Sequence, residues 1–298
     1  MLCAASLPLL LVMLKETKGE TVLHKRAQHL HSKEDRVPAH TQAELSKDPF
    51  LKTWLTSTIL PLRFLCTELV VLLFTLWISF AWTVLFLFQC AIPIVFGKLY
   101  NFNLWQNGMI QLALCFGAFL GFLLQLLANR LHAHTDRGNG QPIPEARLLL
   151  SILGSLVFPI SLFVYGRLIN TPFTAPGNDT RVEVFPYRWY LPMLPIISVG
   201  FGVYTINMAV LNYLTDSYDR FAASALSATA LGRNVFAAFL PLAGPVIYSD
   251  RGLGFAKASY TLGGIALVLS PVPLALCKWG SRVGRRSPSM PGAMGEKA

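Results

Sequence analysis

Charged side chains are scarce in this chain. Only 13% of its 298 residues are Asp, Glu, Lys or Arg and 53% are hydrophobic, whereas about 25% of the residues of a soluble domain are charged. Six apolar stretches contain a single charged residue between them, and each has the roughly 20 residues that a helix needs to cross a hydrocarbon core. These stretches are residues 69–96, 108–128, 148–166, 189–214, 222–248 and 258–277. The composition excludes an ordinary soluble domain and predicts an all-α membrane protein, a bundle of six transmembrane helices.

Enzyme signatures are also missing. The sequence contains no Walker-type phosphate loop, no HExxH zinc motif and no GxSxG nucleophile motif. Its five cysteines lie in or beside apolar segments, without the paired spacing of a disulfide framework or a zinc site. We therefore expect that the protein is not an enzyme and that it has no catalytic residues, no metal and no cofactor.

Positive charge is distributed unevenly between the loops. Of the 25 Lys and Arg residues, eighteen fall on the side that holds the segment before residue 69 and six fall on the opposite side. Cytoplasmic loops collect Lys and Arg, so we expect both termini in the cytoplasm. The glycosylation sequon at Asn178 falls in a loop assigned to the outside, which predicts a glycoprotein. The net charge of +10 is thus expected to reflect topology in the lipid bilayer, and not binding to nucleic acid.

The rest of the sequence divides into segments around the six-helix domain, which we place at residues 66–277. Residues 1–14 are apolar but too short to span a membrane, and they resemble a partial transmembrane helix. Residues 15–65 are predicted to be a cytoplasmic linker, of which residues 15–48 are polar and charged. Its last part, PFLKTWLTSTILPLRFL, suits either an amphipathic helix in the membrane interface or a packed loop helix. Residues 278–298 form a basic cytoplasmic tail.

Small residues recur at every fourth position in two of the stretches. They are Gly117 and Gly121 in the second stretch, and Ser224, Ala228 and Gly232 in the fifth. Such faces allow helix backbones to approach closely in lipid, where packing holds helices together. The pattern predicts close helix–helix contacts.

Arg233 lies near the middle of the fifth stretch, where an arginine costs roughly 2.5–3.5 kcal/mol to insert. We therefore expect its side chain to face the protein interior, either as a tie between helices or as a contact for an anion or a proton in a central cavity. Depth and polarity select four more residues that are expected to line this cavity. These are Trp82, Gln89, Tyr204 and Asn207. Asp216 and Asp219 follow at the cytoplasmic end of the fourth stretch and are expected to be gate or loop-anchoring charges.

Two segments of the sequence are distinctive, IPEARLLLSILGSLVFPISLF and LNYLTDSYDRFAASALSATALGRNVFAAFLPLAGPVIY. They resemble the major facilitator superfamily, and in particular its fungal drug:proton antiporters with twelve spans. The most specific part is PEARL at 144–148 combined with YDR at 218–220 and AAS at 222–224. On this resemblance the six stretches correspond to spans seven to twelve, and the fold is that of the C-terminal half of such a transporter.

The resemblance implies proton-coupled efflux of drugs, polyamines or secondary metabolites, with a small hydrophobic or cationic substrate bound near the bilayer midplane. It also implies a multi-pass protein of the plasma membrane. The motifs that lie in the first half of these antiporters have no counterpart here, so coupling to protons is implied by the family alone. We interpret the chain as a truncated form that needs a separate N-terminal half. The alternatives are a membrane bundle that does not transport and a half-size carrier that acts with a second copy of itself.

Overall fold

The computed structural model describes residues 50–135, 144–170, 189–218, 221–248 and 254–275. All regular secondary structure in these ranges is helical, and six segments of 18 to 32 residues are long and apolar enough to cross a membrane. The all-α class and the bundle of six membrane-spanning helices are thereby confirmed.

Several features predicted from the sequence lie outside the described residues. They are the partial helix at 1–14, most of the linker at 15–65, the sequon at Asn178, the acidic residue Asp219 and the tail at 278–298. These remain predictions.

Eight α-helices are labelled in chain order, and residues 271–275, which follow the last of them, are also helical. The eight helices are α1 Phe50–Thr67, α2 Leu69–Tyr100, α3 Leu104–Thr135, α4 Pro144–Asn170, α5 Tyr190–Tyr218, α6 Ala222–Phe239, α7 Gly244–Ile247 and α8 Phe255–Leu269. A 3₁₀ turn at Leu240–Ala243 joins α6 to α7, and together they make one apolar span, Ala222–Ile247. Helix α1 covers the segment in which the sequence predicts an amphipathic helix.

Backbone and side-chain caps separate α2 from α3. Asn101 ends α2 in the left-handed conformation (φ 54°), which asparagine tolerates better than most residues. The backbone N–H of Asn103 donates to Oε1 of Gln106 at 3.0 Å, and Nδ2 of Asn107 donates to the carbonyl oxygen of Phe102 at 3.4 Å. The connection is therefore short and well satisfied, and it holds the two helices side by side.

Helix α5 packs against four other spans, α2, α3, α4 and α6. Glycines make the α3–α5 contact close. A Cβ atom at Gly117 would collide with the main-chain oxygen of Ile197, and one at Gly200 with the main-chain oxygen of Leu114. The close contact predicted from the small residue Gly117 is thus observed.

Helix α6 packs against α2 through one narrow stripe. Its buried residues are Ala225, Ala228, Thr229 and Gly232, at the three- and four-residue spacing of one helix face. A Cβ atom at Gly232 would collide with the side chain of Thr75 on α2. The small residues of the fifth stretch therefore bring α6 against α2, and this places Arg233 next to the middle of α2.

Candidate functional site

A cavity of about 410 Å³ lies between α2, α3 and α5. Pockets that bind small organic molecules have volumes of roughly 300–1,000 Å³. The polar or sulfur-bearing side chains of its wall are those of Trp82, Gln89, Gln111, Cys115, Tyr204 and Asn207. Four of the five cavity residues selected from the sequence are thus brought together in one wall, and the fifth, Arg233, lies against Trp82. Their role in substrate binding stays a prediction.

Helix periodicity explains why these side chains meet. Trp82 and Gln89 are two turns apart on α2 and therefore point to the same side. Tyr204 and Asn207 are three positions apart on α5, a spacing that also places them on one face. All four lie in the middle third of their spans. Their depth is that expected for the substrate site of a membrane carrier.

A hydrogen bond fixes the orientation of Trp82. Its indole Nε1 donates to Oδ1 of Asn207 at 3.3 Å, which joins α2 to α5. An indole N–H can only donate, so the amide oxygen of Asn207 must face the ring. The amide nitrogen of Asn207 is consequently left as a hydrogen-bond donor on the cavity side of α5.

Arg233 stacks on the same indole. Its guanidinium carbon lies 4.5 Å from the centroid of the Trp82 ring, within the range of a cation–π interaction. The Nε atom of Arg233 is buried, and it has no hydrogen-bond partner among the described residues. No carboxylate in the described ranges forms an ion pair with it. The sequence predicted either a tie between helices or a contact for an anion or a proton. The ring contact supplies a tie between α6 and α2. The contact for an anion or a proton stays a prediction, and the guanidinium has no ion pair in these ranges that would oppose it.

Gln111 was not selected from the sequence, although it lines the cavity. Its Nε2 donates to the main-chain oxygen of Gln89 at 3.2 Å. Within a helix this oxygen would accept from the N–H of residue 93, but residue 93 is proline and has no N–H. Gln111 therefore satisfies a carbonyl that Pro93 leaves without its helical partner. A search for polar residues opposite a proline-freed carbonyl would have found it.

Tyr204 is held by α3. An added Cβ atom at Gly121 would lie 2.8 Å from Cδ1 of the Tyr204 ring, so only glycine leaves room for the ring there. The ring of Phe122 meets that of Tyr204 edge-on, with centroids 6.5 Å apart. Gly121, which recurs four positions after Gly117 on α3, thus shapes the cavity wall as well as the packing of the helices.

A second polar contact lies at the predicted cytoplasmic end of the spans. Glu68, the N-cap of α2, is only 3% exposed, and the hydroxyl of Tyr218 donates to its Oε2 at 3.4 Å. Phe64 packs edge-on against Tyr218 with centroids 5.8 Å apart. Asp216, predicted as a gate charge, is exposed on the last turn of α5. The sequence analysis missed Glu68 because it stands just outside the first apolar stretch.

The side chains of the wall determine which kinds of interaction the cavity can make with a bound molecule. The wall contains no ionisable carboxylate or amine, and no metal-binding group of three His, Cys, Asp or Glu residues occurs in the part of the chain that the structure describes. The cavity can therefore bind a molecule by shape, by stacking on Trp82 and by hydrogen bonds, with the guanidinium of Arg233 beyond the indole.

Comparison with known proteins finds relatives along nearly the whole chain. The MFS-type transporter atr4 of Stereocaulon alpinum is 26% identical over 276 residues, 93% of this chain and 47% of that protein. The MFS-type transporter penM of Penicillium rubens is 29% identical, over 93% of this chain and 51% of that protein. The MFS-type transporter phm3 of a Pyrenochaetopsis species is 32% identical, over 78% and 45%. The chain thus spans about half the length of the curated relatives it matches. No protein-family model and no solved structure matches the chain.

Proposed function

Since the chain belongs to the major facilitator superfamily, we propose that it forms the C-terminal half of a carrier that exports small, largely apolar organic compounds. Carriers of this kind bind their substrate near the bilayer midplane, between two bundles that move against each other. The observation that carries the proposal is the cavity between α2, α3 and α5, in whose wall Trp82, Gln89, Tyr204 and Asn207 lie in the middle third of their spans.

The finer parts of the proposal rest on the resemblance and on the charge pattern. We propose that export acts on drugs or secondary metabolites, that a proton gradient drives it, and that the protein lies in the plasma membrane with both termini in the cytoplasm. The eighteen-to-six bias of Lys and Arg supports the orientation. The described residues form one bundle, and alternating access needs two. We therefore propose that a second bundle completes the pathway, supplied by an N-terminal half or by a second copy of this chain.

A matched pair of tryptophan variants tests the role of the cavity. Trp82 lines it, whereas Trp105 is 82% exposed at the start of α3, outside the wall. In a transporter-deficient fungal host that also makes an N-terminal half of a relative, we expect Trp82→Ala to slow the export of a flat aromatic compound by at least about fivefold, because stacking of a flat ring on an aromatic side chain contributes roughly 1–3 kcal/mol. Trp105→Ala is expected to export normally. Equal export by the two variants, at equal protein abundance, would remove the cavity from the transport pathway.

A further inference from the structure

The charged side chain next to the cavity, Arg233, is positive. We infer that this cavity favours flat aromatic molecules that carry an anionic or hydrogen-bond-accepting group, and that it disfavours cations. The inference rests on the proposed function, since it names the substrate class of the same site. It narrows the expectation from the sequence, which included cationic compounds such as polyamines.

The first reason is electrostatic. No Asp or Glu lines the cavity, so a bound cation would meet no carboxylate there. The guanidinium of Arg233 lies 4.5 Å behind the ring of a lining residue, Trp82, and it is not neutralised by an ion pair within the described ranges. In apolar surroundings one unit charge one side chain away changes the relative affinity for an anion and a cation by about tenfold or more. The sign of this effect favours the anion.

The second reason is the set of donors in the wall. Because Trp82 occupies the amide oxygen of Asn207, the amide nitrogen of Asn207 is a donor without a partner among the described residues. The Tyr204 hydroxyl and the side-chain amide of Gln89, which also line the cavity, make no hydrogen bond in the same ranges. An acceptor-bearing ligand therefore finds donors from both α2 and α5. Gln111, one of whose amide N–H groups is used by the main-chain oxygen of Gln89, and Gln89 itself each add one acceptor oxygen.

The third reason concerns the aromatic surface. Cation recognition by aromatic side chains uses the negative face of a ring. One face of Trp82 already has the Arg233 cation on it, so a second cation at this ring would be repelled. A flat neutral or anionic ring system stacks on the indole without that penalty.

A series of three anthracenes with the same ring and different charge tests the inference. They are anthracene-9-carboxylate, 9-anthracenemethanol and 9-(aminomethyl)anthracene. Each is added at pH 7 to the purified full chain in lipid nanodiscs, and binding is read as protection of Cys115, a cavity residue, from a maleimide, quantified by mass spectrometry of its peptide. We expect the order carboxylate, alcohol, ammonium, with the carboxylate at least about tenfold tighter than the ammonium compound.

Variants assign the preference to Arg233. Arg233→Gln is expected to bring the carboxylate-to-ammonium ratio close to one while the alcohol changes by less than about twofold, and Arg233→Lys is expected to keep most of the ratio. Arg167→Gln removes the same charge from an exposed position at the end of α4 and is expected to keep the wild-type order.

The outcomes separate the two proposals. Equal binding of the three compounds, or tightest binding of the ammonium compound, would overturn the inference and leave the cavity as a binding site. Failure of all three to protect Cys115 would overturn the inference together with the proposed cavity. The wild-type order decides the question even if Arg233→Gln does not fold.

Discussion

The side chain of Arg233 has an unfavourable free energy of insertion into the membrane and a favourable free energy of contact with Trp82. Inserting an arginine at mid-span costs roughly 2.5–3.5 kcal/mol, and a desolvated cation–π contact returns about 2 kcal/mol. The guanidinium stacks on Trp82 and forms no ion pair within the described ranges. Its charge is therefore close to neutral for the stability of the bundle, and a leucine at this position would remove both terms together.

Because these two contributions nearly cancel, we expect a substitution of Arg233 to change export much more than thermal stability. We expect Arg233→Leu to keep the melting temperature of the purified chain within about 6 °C of the wild type, since the net change is only about 0.5–1.5 kcal/mol. Export in the two-bundle assembly is expected to fall at least about tenfold, and Arg233→Lys is expected to rescue it in part. Thermal unfolding in detergent and efflux from cells measure the two effects. A large fall in melting temperature with normal export would make Arg233 a structural tie alone.

A coupled pair of substitutions tests the contact between Gln111 and the carbonyl of Gln89. Removing the donor with Gln111→Leu leaves that carbonyl without a partner, and we expect it to cost about 1 kcal/mol. In the Pro93→Ala background the residue at position 93 has an N–H and can satisfy the carbonyl within the helix. The cost of Gln111→Leu is therefore expected to vanish there, as a double-mutant cycle of thermal stabilities would measure. Equal costs in both backgrounds would contradict the role assigned to Pro93.

The sequence alone was sufficient for some of these residues and not for others. Arg233 and Asn207 stand out because polar groups deep in apolar stretches are rare. The bond between Trp82 and Asn207 joins residues 125 positions apart, and no local pattern encodes it. The same holds for Glu68 and Tyr218, which are 150 positions apart. Pairings of this kind depend on the order in which helices pack, which hydropathy does not specify.

At the scale of helices, the α3–α5 contact depends on single glycines. We expect Gly200→Ala to destabilise the chain by about 1–3 kcal/mol, because the added methyl group collides with main-chain atoms of Leu114 that no rotamer change can move. Gly264→Ala on α8 is the matched control, since nothing lies within 4 Å of the added atom. Thermal unfolding of the two variants in the same detergent measures the difference. Similar melting temperatures would show that the helices can move apart at no cost.

Helix bounds were predictable only in part. The sequence placed the first span at 69–96, whereas α2 continues to Tyr100, and it placed the second at 108–128, whereas α3 begins at Leu104. Apolar stretches stop where polar residues begin, but a helix continues until its backbone is capped. Asn101 provides that cap through a left-handed conformation, a property of the backbone that hydropathy does not record.

For the molecule as a whole, the described spans bury only one narrow stripe of α6, Ala225, Ala228, Thr229 and Gly232, where it packs against α2 and α5. Export is expected to be absent from cells that make this chain alone and to appear when a complementary N-terminal half is made with it, because one bundle cannot alternate access. Efflux of a fluorescent aromatic compound and the resistance of the host to a toxic analogue measure this. Export by the chain alone that scales with a cross-linkable dimer would favour the half-size carrier, and export by an isolated monomer would contradict the requirement for two bundles.

The close glycine contacts also bear on which of the three helices around the cavity can move. At Gly117 and Gly200 an added Cβ atom would collide with main-chain oxygens, so the backbones of α3 and α5 lie close together, and we expect this pair to stay together when a ligand enters the cavity. Helix α2, the third wall, meets α5 through side chains such as the Trp82–Asn207 bond, and this bond can lengthen without distorting any backbone. We therefore expect a ligand that widens the cavity to displace α2, together with α6, whose Arg233 covers the Trp82 ring.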